Sequence, residues 1–137
     1  MGRIMTIVLI LLAIAVVAVG YVRMAPSDVA TWHKLPDFTE DRDMKRGVMR
    51  VVETGPGGLE QLHAIARATP RTKVLAGSVD EGMITYVTRT KGVGFPDYTT
   101  VQQDGDRLRI YARLRFGRSD LGVNRHRVER WLDVLKP

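Results

Sequence analysis

Residues 108–116 read Leu108-Arg109-Ile110-Tyr111-Ala112-Arg113-Leu114-Arg115-Phe116. Leu108, Ile110, Ala112, Leu114 and Phe116 fall on one face of an extended chain, and Arg109, Tyr111, Arg113 and Arg115 on the other. A period of two over this length predicts a strand with one face on a core and the other wet, and it sets the sheet around which the rest is arranged. Upstream, Thr99 to Gln103 is a second β-rich run, joined to the first by Asp104-Gly105-Asp106. A short glycine-containing break between two such runs is a hairpin signal. Lys73 to Val79 and Met83 to Thr90 flank Asp80-Glu81-Gly82 in the same way, so two hairpins follow one another.

Outside these strands the period changes. Leu59, Leu62, Ile65 and Ala66 recur at helical spacing until Pro70, which cannot continue a helix. Val128, Trp131, Leu132 and Leu135 lie at i, i+3, i+4 and i+7, an amphipathic helix near the C-terminus. Val48, Met49, Val51 and Val52 form a further strand that begins near Gly47 and stops at Thr54-Gly55-Pro56-Gly57-Gly58. The order strand, helix, four strands, helix predicts an α+β domain: a mainly antiparallel sheet of about five strands, two helices on one face, the arginine face uncovered.

The N-terminus has a different character. Ile4 to Val22 are 19 residues without a charge, bounded by Arg3 and Arg23. At 1.5 Å per residue they span about 28 Å, close to the hydrocarbon thickness of a bilayer. Tyr21 stands where an interfacial aromatic belongs. A cleaved signal peptide ending at Ala18-Val19-Gly20 is the competing reading, but the apolar run exceeds the usual 7–15 residues of a signal core. The domain plan is therefore anchor 1–23, stalk 24–46 and globular domain 47–137. The stalk has two prolines, mixed charge and no sustained period, with Trp32 docking either on the domain or at the lipid interface. Charge counting does not orient the anchor, since Arg3 and the α-amino group face Arg23 and Lys34. The three-residue tail before the span favours export of the large C-terminal part, which places it in the periplasm if the membrane is a bacterial inner membrane.

The chain has 137 residues, 21 Lys and Arg against 15 Asp and Glu, 26% charged residues and no cysteine. One domain fits, a multidomain enzyme does not, and disulfides and cysteine-ligated metals are excluded. Removing Arg3 and Arg23 leaves 19 basic against 15 acidic residues, with arginines crowded between 107 and 130. Such a patch attracts an anionic ligand, an anionic lipid or a membrane-protein partner; a solvated face with ordinary ion pairs is the simpler account.

Motifs for chemistry are sparse. Gly55-Pro56-Gly57-Gly58 lacks the Lys-Ser/Thr of a phosphate-binding loop. Gly117-Arg118-Ser119-Asp120-Leu121-Gly122 has its second glycine one residue late for a nucleophile elbow. His33, His63 and His126 are scattered without a metal-binding spacing, so neither metal nor cofactor is expected. The arginines lack the interleaved aromatics of a nucleic-acid surface, and nucleic acid is not an expected partner. Two segments remain dense in special residues, 92–98 and 118–127. Ser119 or Asp120 can cap the last helix, and an Asp97–Arg127 or Asp120–Arg125 ion pair can lock the loop. The functional counterpart is an anion pocket where Arg113, Arg115, Asn124 and Arg125 converge at a helix N-terminus.

Gly94-Phe95-Pro96-Asp97, followed about twenty residues later by Ser119-Asp120-Leu121-Gly122-Val123-Asn124-Arg125-His126-Arg127, resembles the bacterial and plastid family known as domain of unknown function 1499. The resemblance covers roughly residues 47–135. It marks Phe95, Pro96, Asp97, Ser119, Asp120, Gly122, Asn124, Arg125 and Arg127 as signature residues, implies membrane-anchored or exported proteins, and implies no reaction. Two functions stay open. One is a single-span binding or protein-interaction module of the cell envelope, tied to the bilayer through residues 4–22. The other is a small envelope hydrolase or transferase for an anionic substrate, with Asp97 or Asp120 as general base and Arg113, Arg115 or Arg125 holding charge. No nucleophile is assigned to the second.

Overall fold

A computed structural model describes residues 2–136. Helix α1 (Gly2–Met24) holds the apolar run. It is long and apolar enough to cross a membrane, and none of its most apolar stretch is buried against the rest of the chain. A single turn, α2 (Val29–Trp32), follows. Next come β1 (Arg42–Met44), β2 (Gly47–Glu53), α3 (Gly58–Arg67), β3 (Thr72–Ser78), β4 (Met83–Arg89), β5 (Pro96–Asp104), β6 (Arg107–Leu114) and α4 (Val123–Leu135).

The six strands form one antiparallel sheet in the order β1-β2-β6-β5-β4-β3. Strands β3 to β6 are a meander, and β2 returns to pair with β6. Gly47 sits opposite Arg113, where any Cβ would collide with the Ala112 carbonyl, so backbone proximity explains the glycine that opens the strand.

Helices α3 and α4 cover one face, as the periodicity predicts. Leu59 and Leu62 from α3, Val128 and Trp131 from α4, and Val48, Ile84, Val101 and Ile110 from the sheet make the core. Tyr86 and Trp131 meet edge to face at 5.8 Å between ring centroids. Their polar tips are satisfied within the core: Tyr86 Oη lies 2.8 Å from His63 Nδ1, and Trp131 Nε1 donates to Thr69 Oγ1 at 2.9 Å.

The α+β class holds, with six strands where about five were expected. The addition is β1, whose register runs from Arg42 opposite Met49 to Met44 opposite Gly47. Two exposed charged residues and a half-buried methionine on a sheet edge carry no alternating pattern, so their pairing is invisible in sequence. Asp43 instead binds Arg50 at 2.8 Å, and this contact holds its carboxyl below the ordinary range. Strand β5 begins at Pro96, three residues earlier than expected, which shortens the loop before it.

The arginine face is covered, contrary to expectation. The segment between α1 and β1, read as a stalk, lies across it. Trp32 stacks on Tyr98 with centroids 4.0 Å apart and planes 12° from parallel. His33 Nδ1 lies 2.7 Å from Thr85 Oγ1, and Ser27 Oγ lies 2.6 Å from Tyr98 Oη. The segment docks through isolated anchors rather than a repeating apolar face, which is why its periodicity carries no sign of packing.

Candidate functional site

Two arginines of β6, Arg109 and Arg113, and Arg115 just past its end hold the covering segment by its carbonyls. Arg109 donates to Phe38 O at 3.3 Å and lies 5.4 Å from the Phe38 ring centroid. Arg113 donates to Trp32 O and to Thr100 Oγ1, the latter at 2.8 Å. Arg115 donates to Pro26 O at 2.9 Å and to Tyr98 Oη at 3.1 Å. Period two places Arg109 and Arg113 on one face of the strand, and Arg115 continues that side past its end, so a segment crossing this face meets a donor at three points. Arg113 is buried, with its guanidinium 4.6 Å from the Tyr111 ring centroid and 5.6 Å from that of Trp32. Burial pushes its pKa down to about 10, so it stays charged at neutral pH.

Of the signature residues, Asp97, Asp120, Asn124 and Arg127 gather on the opposite, helix-covered face. Asp97 points from β5 to Arg127 of α4, with Arg127 Nη2 3.2 Å from Asp97 Oδ2 and both side chains 7% exposed. Arg127 Nη1 also donates to Asn124 Oδ1 at 2.8 Å. Asn124 Nδ2 donates in turn to Asp120 Oδ2 at 2.9 Å. Asp120 closes the chain of contacts by accepting the N–H of Gly122 at 2.9 Å and of Asn124 at 3.2 Å. The helix enters through Gly122 at φ +79°, a left-handed conformation that suits glycine. Ser119 Oγ accepts the Leu121 N–H at 3.2 Å.

Asp120 is therefore the cap of the last helix and Asp97–Arg127 is the ion pair, two of the structural contacts anticipated from the sequence. The Asp120–Arg125 alternative is not formed: Arg125 reaches Asp43 at 3.6 Å instead. Burial raises the pKa of the Asp97 carboxyl against the pull of Arg127, and lowers that of Arg127 against the pull of Asp97. Phe95 is partly exposed, 6.4 Å from Phe116 between ring centroids.

The four binding candidates do not converge. Arg113 and Arg115 lie on the face covered by residues 25–40, whereas Asn124 and Arg125 start α4 on the other face. Period two places β6 side chains on opposite faces at successive positions, and the helix N-terminus belongs to the core face. The Gly122 and Asn124 N–H groups that an anion would meet there are already taken by the Asp120 carboxylate, and the Val123 N–H by the Asp120 carbonyl. Among the described residues no group of three or more His, Asp or Glu side chains is placed to hold a metal ion.

A site of another kind lies where α1 meets the domain. Arg23 donates through Nε to Val93 O at 3.1 Å and through Nη2 to Gly92 O. Arg89 Nη1 donates to Val22 O at 3.3 Å and to Gly94 O at 2.9 Å. Tyr21 meets Phe116 edge to face at 6.2 Å, and Val22 and Ala25 are buried. The loop between β4 and β5 is thus fastened to the last turn of α1. Sequence reasoning missed this junction because its partners are about 70 residues apart; the only local signal is Arg23 at the end of the apolar run.

The meander gives the domain two chemically distinct ends. The turns β3–β4 and β5–β6 point away from this junction and carry Asp80, Glu81, Asp104 and Asp106, with Arg107 paired to Asp104 at 3.4 Å. The connections at the α1 end carry Lys45, Arg46, Arg71, Lys91 and Arg118. Of the acidic residues in the connections at this end, Asp120 is engaged by the backbone it caps and Asp28 accepts a hydrogen bond from Thr31 Oγ1 at 2.7 Å.

A family described as "Protein of unknown function (DUF1499)" matches residues 25–135. The match starts 22 residues before the Gly47 at which the sequence-based resemblance begins, so it takes in the covering segment as well as the sheet. No curated protein and no solved structure matches the chain.

Proposed function

The chain belongs to the DUF1499 family, and from that premise we propose that it is a single-span protein of a bacterial inner membrane whose periplasmic domain works as a binding or protein-interaction module. The observation that carries this reading is the junction just described. Arg23 and Arg89 exchange hydrogen bonds across it and Tyr21 packs on Phe116, so the helix end is a structural part of the domain. A leader destined for removal has no need of such contacts. The 23 residues of α1 rise about 35 Å, enough for the hydrocarbon core and the start of the headgroup layer.

Binding is preferred to covalent chemistry because Asp97 and Asp120, the two candidate bases, are both committed to contacts that hold α4 on the sheet. The arginine face likewise serves the chain's own segment, so a partner is met on the remaining surface. Two measurements test the reading. The intact mass of the membrane-extracted protein should equal that of the uncleaved chain. An alkaline phosphatase fused at the C-terminus should be active and a fluorescent protein there dark. A mature form lacking residues 1–20, or the reverse fusion pattern, overturns the anchor or the orientation respectively.

A further inference from the structure

We infer that the α1 end of the domain binds the phosphate of anionic phospholipid headgroups, in a groove formed by Arg23, Arg71, Lys73 and Arg89. The inference rests on the anchored reading above and names the ligand class of the domain's membrane-facing end. The groove has a volume of about 510 Å³ and is otherwise lined by Val87, Thr90, Gly92 and Gly94, with no carboxylate. Among the described residues, none of the four cations has a carboxylate within ion-pair distance, whereas Arg50, Arg107, Arg109, Arg125 and Arg127 all do. Four clustered positive charges without a counter-ion in the protein favour one from outside.

The donors are held in place. Arg71 lies opposite Arg89 at the end of the β3–β4 pair, in a left-handed conformation at φ +56°. Its carbonyl accepts the Arg89 N–H at 2.9 Å, and its Nε donates to Arg89 O at 3.1 Å. Both Nη groups of Arg71 remain, and a guanidinium presents them as a fork that matches two phosphate oxygens. Among the described residues, Arg89 keeps Nη2 and Lys73 its ammonium, since their side-chain bonds are confined to Arg89 Nη1. All four groups thus have donors left after the fold is satisfied.

Position selects a lipid over a dissolved anion. Arg23 closes α1, so the groove opens at the depth where a membrane-spanning helix leaves the hydrocarbon and headgroup phosphates begin. The adjoining loop exposes Val93 and Phe95, apolar side chains suited to the interface. The acidic turns lie at the opposite end, so the charge asymmetry of the whole domain orients it in the same sense.

The test uses the full-length protein in an uncharged detergent, its melting temperature followed against short-chain phosphatidylglycerol, short-chain phosphatidylcholine, glycerol phosphate and inorganic phosphate. Phosphatidylglycerol is expected to give a saturable rise that 0.5 M salt weakens, and phosphatidylcholine none. Arg71→Gln and Lys73→Gln leave the Arg23 and Arg89 contacts with backbone intact. Each should weaken the phosphatidylglycerol response about fivefold, and the double variant about 25-fold. Arg107→Gln, at the acidic end, should leave the response unchanged. Equal responses to the two lipids, no effect of the double variant, or saturation by inorganic phosphate at the same concentration as phosphatidylglycerol would each overturn the inference. An uncleaved, correctly oriented protein that shows no lipid preference would remove the lipid site while leaving the anchored reading in place.

Discussion

Replacing Asp97 by alanine should be among the most damaging single substitutions in the domain. Asp97 Oδ2 lies 3.2 Å from Arg127 Nη2, and each side chain is 7% exposed. At an effective dielectric of about 20, two unit charges at that distance attract by about 5 kcal/mol, opposed by the desolvation of both. Truncation to alanine removes the attraction and leaves the desolvation of Arg127. The remaining acceptor near Arg127 is Asn124 Oδ1 at 2.8 Å, a neutral oxygen. Uncompensated buried charges of this kind cost about 3–5 kcal/mol. The assay is urea denaturation of the full-length protein in detergent, monitored by the combined fluorescence of Trp32 and Trp131, with Asp97→Ala, Arg127→Met and the double variant. Asp97→Ala should lose about 3–5 kcal/mol, and the double variant should recover a large part of that because no charge is left behind. A loss under 1 kcal/mol for Asp97→Ala, or a double variant no better than it, would refute the view that this pair is closed to water and holds α4 on the sheet.

Other expectations follow from single contacts. Asp120→Ala removes the acceptor of two backbone N–H groups and should cost about 1–2 kcal/mol by the same denaturation assay, with the fold retained. Trp32→Ala deletes the stack on Tyr98 that pins the covering segment, so trypsin should cut after Lys34 several-fold faster than in the wild type while the sheet survives. For His63, burial, reinforced by Arg67, holds the pKa below its usual 6.5. Protonation therefore favours the unfolded chain. The stability contribution is present above about pH 6.5 and is lost as pH falls through the lower folded value. Melting curves between pH 7 and pH 5 should show a steeper decline for the wild type than for His63→Asn; parallel declines would contradict it.

Legibility in the sequence followed the range of the interactions. The strand expected at 108–116 and found at Arg107–Leu114, the two hairpins, the two amphipathic helices and the apolar N-terminal run are written in spacings of two, three or four residues; Phe116, expected on the core face of that strand, lies past its end and meets Tyr21 instead. Asp120 as a helix cap is equally local, its acceptors serving Gly122 and Asn124. The pairing of Asp97 with Arg127 spans 30 residues, and spacing alone leaves Asp120–Arg125 as an equal alternative; the packing of strand against helix selects the former.

What lay beyond the sequence depended on which surfaces meet. Residues 25–40 look like a linker because Ser27, Trp32, His33 and Phe38 share no period; they pack because Arg109 and Arg113 of β6 and Arg115 just past it meet their carbonyls. The proposed convergence of Arg113 and Arg115 with Asn124 and Arg125 failed for a geometric reason, since the sheet itself separates them. The groove of Arg23, Arg71, Lys73 and Arg89 exists through antiparallel register and the seating of α1 on the β4–β5 loop. Local composition by itself determined the membrane-length helix and the α+β plan, because backbone conformation and amphipathic burial respond to near neighbours. Only the tertiary structure decided which charges are neutralised inside the protein and which are left facing outward, because that balance is set by contacts between residues far apart in the chain.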